Sequence, residues 1–120
     1  MATQDQCVTI HPYFKVPENN LEAFRQLCER FVAATSKEPK CLYYGFSFNG
    51  SEAFCREGYE DASGLLAHLD NVKSLLEEAL RLAELSRVEI HGCEQELAKL
   101  RGPLADLGAS YFVLEYGFRR

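Results

Sequence analysis

Tryptophan is absent from the 120 residues and methionine occurs once, while the five cysteines are odd in number. Cys7, Cys28, Cys41, Cys55 and Cys93 are widely spaced and include no C-x-x-C pair. Such spacing supports neither a zinc clamp nor a dithiol couple, so the cysteines read as reduced thiols. Positive charge is scarce as well: Lys and Arg total 13 against 18 Asp and Glu, for a net charge of -5. Phosphate backbones demand clustered cations, so a nucleic-acid partner is not expected, and the lone basic pair Arg119-Arg120 reads as a solvated end. No apolar run approaches the roughly 20 residues that span a bilayer, and no charged leader with an apolar segment opens the chain. The expectation is a cytoplasmic protein without membrane association. Glycine-rich phosphate loops, P-loops and nucleophile elbows are also missing, which leaves kinase, esterase and nucleotide-binding readings without support.

The composition that remains, 47% hydrophobic and 26% charged, suits one globular domain over residues 1–120 with a real core. Val8, Ile10, Pro12, Phe14 and Val16 alternate with Thr9, His11, Tyr13 and Lys15, predicting a strand over about Cys7 to Val16, with Pro12 at an edge or bulge. Pro17, Asn19 and Asn20 supply stop and cap chemistry before a helix whose stripe is Leu21, Phe24, Leu27, Cys28, Phe31, Val32 and Thr35. Residues 37–40 form a loop, because Pro39 cannot continue the helix. Cys41 to Phe48 and Glu52 to Tyr59 then read as a hairpin around Asn49-Gly50. Asp61 caps a second helix with a leucine-rich stripe to Ala83, breakable at Asp70-Asn71. Arg87 to Cys93 is a fourth strand. Glu94 to Leu107 gives two short helical pieces, the second starting at Pro103 and closed by Gly108, and Ser110 to Phe118 a last strand.

This order is an α+β fold, ferredoxin-like βαββαβ, with an added short helix and C-terminal strand. Helices can cover only one face of such a sheet, yet both alternating residue sets are aromatic: Tyr43 against Leu42 and Tyr44, Tyr111 and Val113 against Phe112, Leu114 and Tyr116. A second copy of the sheet would cover the other face, so a homodimer, a dimeric α/β barrel, is expected.

Three segments resemble one family. Glu38-Pro39-Lys40-Cys41-Leu42-Tyr43-Tyr44 is similar to the E-x-G-C-x-x-Y segment of antibiotic-biosynthesis-monooxygenase-like proteins. Glu57-Gly58-Tyr59 through Leu66-Ala67-His68-Leu69 resembles their segment joining the third strand to a helical histidine, and Val88-Glu89-Ile90-His91-Gly92 resembles their ending. Lys40 stands where that family has glycine, and its second helical histidine is missing, with Lys73 near that place. The resemblance implies the dimeric barrel and, for one branch, oxygenation without a cofactor. The haem-degrading branch relies on an Asn, Trp and His set, which this tryptophan-free chain does not match.

Cofactor-free oxygenation needs an apolar pocket for a small-molecule substrate, a base, and a donor that holds the resulting anion. His68 falls on the edge of the second helix's apolar stripe and is either that base or a core histidine satisfied by a carbonyl or water. Glu57 either orients a histidine or pairs with a cation such as Arg56. Tyr59, Tyr44 and Tyr111 either donate to a substrate oxygen or pack in the core, and His11 either faces the cavity or an interface. The leading expectation is a monooxygenase of a small aromatic, quinol or polyketide-like compound, with His68 and Glu57 catalytic and His11, Tyr59, Tyr44 and Tyr111 around the substrate. No metal site is expected, since the three histidines lie on different elements. Alternatives are a non-catalytic ligand-binding dimer and an isomerase of a phosphorylated or keto compound, the latter needing Lys15, Lys40 or Arg56 in the pocket.

Overall fold

The computed structural model describes residues 2–120. The elements are β1 (Val8–Lys15), a 3-10 turn (Glu18–Asn20), α1 (Leu21–Thr35), β2 (Cys41–Asn49), β3 (Glu52–Tyr59), α2 (Ala62–Asn71), α3 (Lys73–Leu82), β4 (Glu84–Gly92), α4 (Glu94–Arg101), a second 3-10 turn (Ala105–Leu107) and β5 (Ser110–Val113). They build one sheet in the order β2-β3-β1-β4-β5. The first four strands pair antiparallel, and β5 joins parallel to β4, as its return through α4 requires. This is the expected α+β, ferredoxin-like arrangement with its extra helix and strand.

Several local expectations are corrected. Pro12 sits in β1, between β3 and β4, so it marks no edge; the pairing with β4 shifts register between Tyr13 and Phe14, which is the bulge. Asn20 holds the N-cap position of α1, but its side chain makes no capping bond: Nδ2 donates to Leu82 O at 3.0 Å and ties the helix start to the end of α3. Val32, assigned to the buried stripe, is 44% exposed. The strand β4 begins at Glu84 rather than Arg87, the second helical piece at Ala105 rather than Pro103, and β5 stops at Val113. Beyond it Tyr116 makes only a bridge to Ala2. Asp61 caps α2 as expected, accepting from Gly64 N–H at 3.0 Å, and the helical run does break, at Val72 (φ -102°, ψ 13°).

That break divides the interior. One apolar cluster joins α1 and α3 to the sheet through Phe14, Phe24, Phe31, Val72, Leu75 and Ala79. The other joins α2 and α4 to it through Val8, Ile10, Leu65, Val88, Ile90 and Leu97. Between them lies a hollow, described below.

Phe24 is 1% exposed and meets Phe14, Phe46 and Phe48, whereas Val32 lies on the outer side of the same helix. Phe24→Ala should therefore cost about 4 kcal/mol in urea denaturation, and Val32→Ala less than about 1 kcal/mol.

Candidate active site

The hollow has a volume of about 100 Å³. Its wall is hydrocarbon, including Ile10, Pro12, Phe14 and Phe31, and exposed Leu80 stands at its rim. Its polar groups are few: Glu57 and Cys55 from β3, Tyr44 from β2 and His68 from α2. Strand alternation brings them together. Ala53, Cys55, Glu57 and Tyr59 share the helix-facing side of β3, and Tyr44 pairs across the ladder with Glu57. On α2, His68 lies one turn from both Leu65 and Val72, on the buried stripe.

Glu57 and His68 are 4% and 3% exposed, so neither can rely on water. Tyr59 O–H donates to Glu57 Oε1 at 2.6 Å, and His68 Nε2 stands 3.4 Å from the same oxygen. On the opposite side of the ring, His68 Nδ1–H donates to Glu38 Oε2 at 2.9 Å. Glu38 is itself held by Asn71 Nδ2–H at 2.7 Å, and Asn71 also reaches Ala34 O. With the Nδ1 proton committed to Glu38, the Nε2 lone pair points to Glu57. The rings of Tyr44 and Tyr59 flank the imidazole at centroid distances of 5.3 Å and 5.0 Å.

Burial pushes the Glu57 carboxyl up to about 7, although the Tyr59 hydrogen bond works against this. Burial also depresses His68, while Glu38 pulls it back upward. Both effects favour the uncharged pair, a carboxylic acid beside a neutral imidazole. The Tyr44, Tyr59 and Cys55 protons are all held more tightly than usual, again by burial, so these groups stay neutral donors and Cys55 is no thiolate.

Of the residues predicted from sequence, His68, Glu57, Tyr59 and Tyr44 converge. His11 and Tyr111 do not. His11 has odd parity on β1, which turns it to the open face of the sheet, where its ring lies tilted against His91 at 4.6 Å and its Nε2 meets Thr9 Oγ1. Tyr111 packs at the margin of the second cluster beneath Arg101, away from the hollow. Glu57 pairs with no cation: Arg56 points to the opposite face and covers the Tyr43 ring. Glu38, Asn71 and Cys55 were missed. Glu38 opens the segment that resembles the family's E-x-G-C-x-x-Y, but only the fold of the loop shows it turned back toward His68.

No family model matches the sequence, and no curated protein does either. Among solved structures, MupZ from Pseudomonas fluorescens is 53% identical over 96% of this chain and 95% of its own, with a TM-score of 0.93. The chain belongs to the MupZ family. More distant matches include a candidate antibiotic biosynthesis monooxygenase from Nitrosomonas europaea, 14% identical with a TM-score of 0.69, covering 78% of this chain and 96% of that one. Another structure named antibiotic biosynthesis monooxygenase is 15% identical with a TM-score of 0.61, covering 69% and 92%. The MupZ-like chain thus has the antibiotic biosynthesis monooxygenase fold. Among the described residues no three His, Cys, Asp or Glu side chains converge as a metal set, and no helix is long and apolar enough to cross a membrane.

Because the folded Glu57 carboxyl holds its proton above its ordinary 4.5, its share of stability is intact below that value and lost as pH rises through about 7. His68 has the opposite sign: its share is present above its ordinary 6.5 and lost as pH falls through its lower folded value. Glu57→Gln carries no charge to bury. Its melting temperature should gain on wild type as pH rises from about 5 to about 9, by a stability difference of about 3 kcal/mol at the alkaline end. A gap that stays constant with pH would show that Glu57 is not held protonated.

Proposed function

We propose that this MupZ-family protein is a cofactor-independent acid–base enzyme that acts as a monooxygenase on a small, largely apolar aromatic, quinol or polyketide-like compound. One observation carries the reading: a carboxyl and an imidazole 3.4 Å apart share the end of a hydrocarbon hollow. In such surroundings a proton shared between two near-neutral groups can be moved without leaving a bare charge behind. The pair draws a proton from an acidified C–H or O–H of the substrate. The carbanion or phenolate so formed gives electrons to dioxygen. The resulting hydroperoxide collapses by O–O cleavage, leaving one oxygen on the substrate as a carbonyl and releasing the other as water. Tyr44 O–H and neutral Glu57 are the donors available to a developing oxyanion, and Tyr59 steadies Glu57.

A second reading draws on the Glu57 carboxyl itself, which near pH 7 donates as readily as it accepts. That supports a redox-neutral rearrangement in which the pair removes one proton and returns another. Phosphorylated substrates are not favoured. Lys40 is bound to Asp61 and Ser63, Arg56 covers Tyr43, and Lys15 lines a separate surface groove, so none of the three faces the hollow.

The open face of the sheet, where His91 stacks on Phe112 and meets His11 at a tilt, and His11 and Tyr13 each pack against Phe54, is read as the seat of a second copy of the chain. Five free thiols suit the reducing cytoplasm. Size-exclusion chromatography at micromolar concentration should give a dimer; a monomer would overturn the pairing.

In a panel of quinols, anthrones and flavonoids, at least one compound should drive oxygen uptake, with His68→Ala lowering kcat by about 10²–10⁴-fold and His11→Ala leaving the chemical step unchanged. Product formation that persists in anaerobic buffer and still needs His68 would replace oxygenation with the rearrangement. If His68→Ala has no effect on either, acid–base catalysis at this site is refuted.

A further inference from the structure

Glu38 has two surroundings at once. Toward the interior it accepts from His68 Nδ1–H at 2.9 Å, and toward the exterior it lines a surface cleft of about 210 Å³ with Val32, Thr35, Cys41 and Tyr44. Its side chain keeps 10% of its area exposed, against 3% for His68. The hollow and this cleft are different openings, and Tyr44 is the one residue that lines both. Hence Glu57 and His68 face the hollow, and Glu38, joined to them through the imidazole, faces water elsewhere.

We propose that Glu38 is the proton exit of the site: protons taken up in the hollow leave through His68 and Glu38 into the outer cleft rather than through the leucine-lined mouth that admits substrate. The step involves protons alone. The proton on Glu57 Oε1 passes to His68 Nε2, the Nδ1 proton passes to Glu38 Oε2, and Glu38 gives a proton to water in the cleft, so one proton crosses from hollow to bulk and no electrons move. Returning a proton runs the same steps backward and restores the starting tautomer. The wall of the hollow explains why a separate path is needed: its lining residues Pro12, Leu76, Leu80, Leu85 and Leu107, which are exposed or half-buried, carry no side-chain group that can relay a proton. Hydrocarbon there also offers no polar partners to order a water chain, with or without substrate. Asn71 is a positioning residue here, since it holds the Glu38 carboxylate against the ring.

This inference rests on the acid–base reading of the site but is tested without substrate, so the two can fail separately. Stopped-flow pH jumps across neutrality, with infrared detection of the carboxyl band that disappears in Glu57→Gln, would follow the ionisation of Glu57 in the full-length protein. Glu38→Gln keeps an oxygen for His68 Nδ1–H but cannot carry a proton, and should slow that ionisation about 100-fold, the scale of a lost proton-transfer group. Val32→Trp, at an exposed position lining the cleft, plugs the exit without touching the relay and should slow it as well, which keeps the test open if Glu38→Gln folds poorly. Leu80→Trp, at the rim of the hollow, should leave the rate unchanged. If Leu80→Trp slows Glu57 and the cleft variants do not, or if all variants match wild type, protons do not leave through Glu38.

Discussion

A carboxyl group surrounded by phenyl rings and leucines persists only if it keeps its proton or finds partners for its charge, and Glu57 is held by both means. The Tyr59 hydroxyl and the His68 ring meet the same oxygen, and burial lifts the carboxyl to about 7, so the acid form persists into the neutral range. Every other polar element of the site follows from that constraint. The imidazole must present a bare nitrogen to the acid, so its other nitrogen needs an acceptor. Glu38 supplies it, and Asn71 in turn satisfies Glu38 and fastens the end of α2 to the end of α1. Four residues from three segments are thereby linked to one buried proton.

The sheet supplies the precision. Glu57 and Tyr59 lie on one strand face, so their spacing is fixed by the pleat, and Tyr44 is set opposite Glu57 by the hairpin register. Loops contribute only Glu38, and that loop is short, with Glu38 N–H bonded to Thr35 O and Pro39 following. A site mounted largely on ladder positions does not need ligand to assemble it.

The strands, the helices and the hairpin were legible because alternation, helical spacing and Asn-Gly chemistry are local signals. His68 and Glu57 were legible for a related reason: a histidine on an apolar stripe and a carboxylate at an inward strand position violate the surrounding pattern. His11 shows the limit of such reasoning, since its parity was visible but not which face of β1 the helices would cover. Glu38 and Asn71 were hidden because their importance comes from contacts between residues 30 and 33 positions apart, Glu38 with His68 and Glu38 with Asn71, which no local spacing encodes. For Pro12 the bulge reading held, beside it, and the edge reading did not; Asn20 took the N-cap position without its side-chain bond, and both departures have one cause. Local preference names an edge or a cap, whereas the pairing of β4 with β1 and the carbonyl of Leu82 offered tertiary partners that outweighed it.

The kink at Val72 has a mechanical consequence. An unbroken helix from Ala62 to Leu82 would act as a stiff rod fixing the two apolar clusters to each other. Two shorter rods meeting at a bent residue instead let each follow its own neighbour, α3 lying along α1 and α2 along α4. One bent residue thereby lets the two packings diverge, and the space between them is the hollow that Glu57 and His68 share.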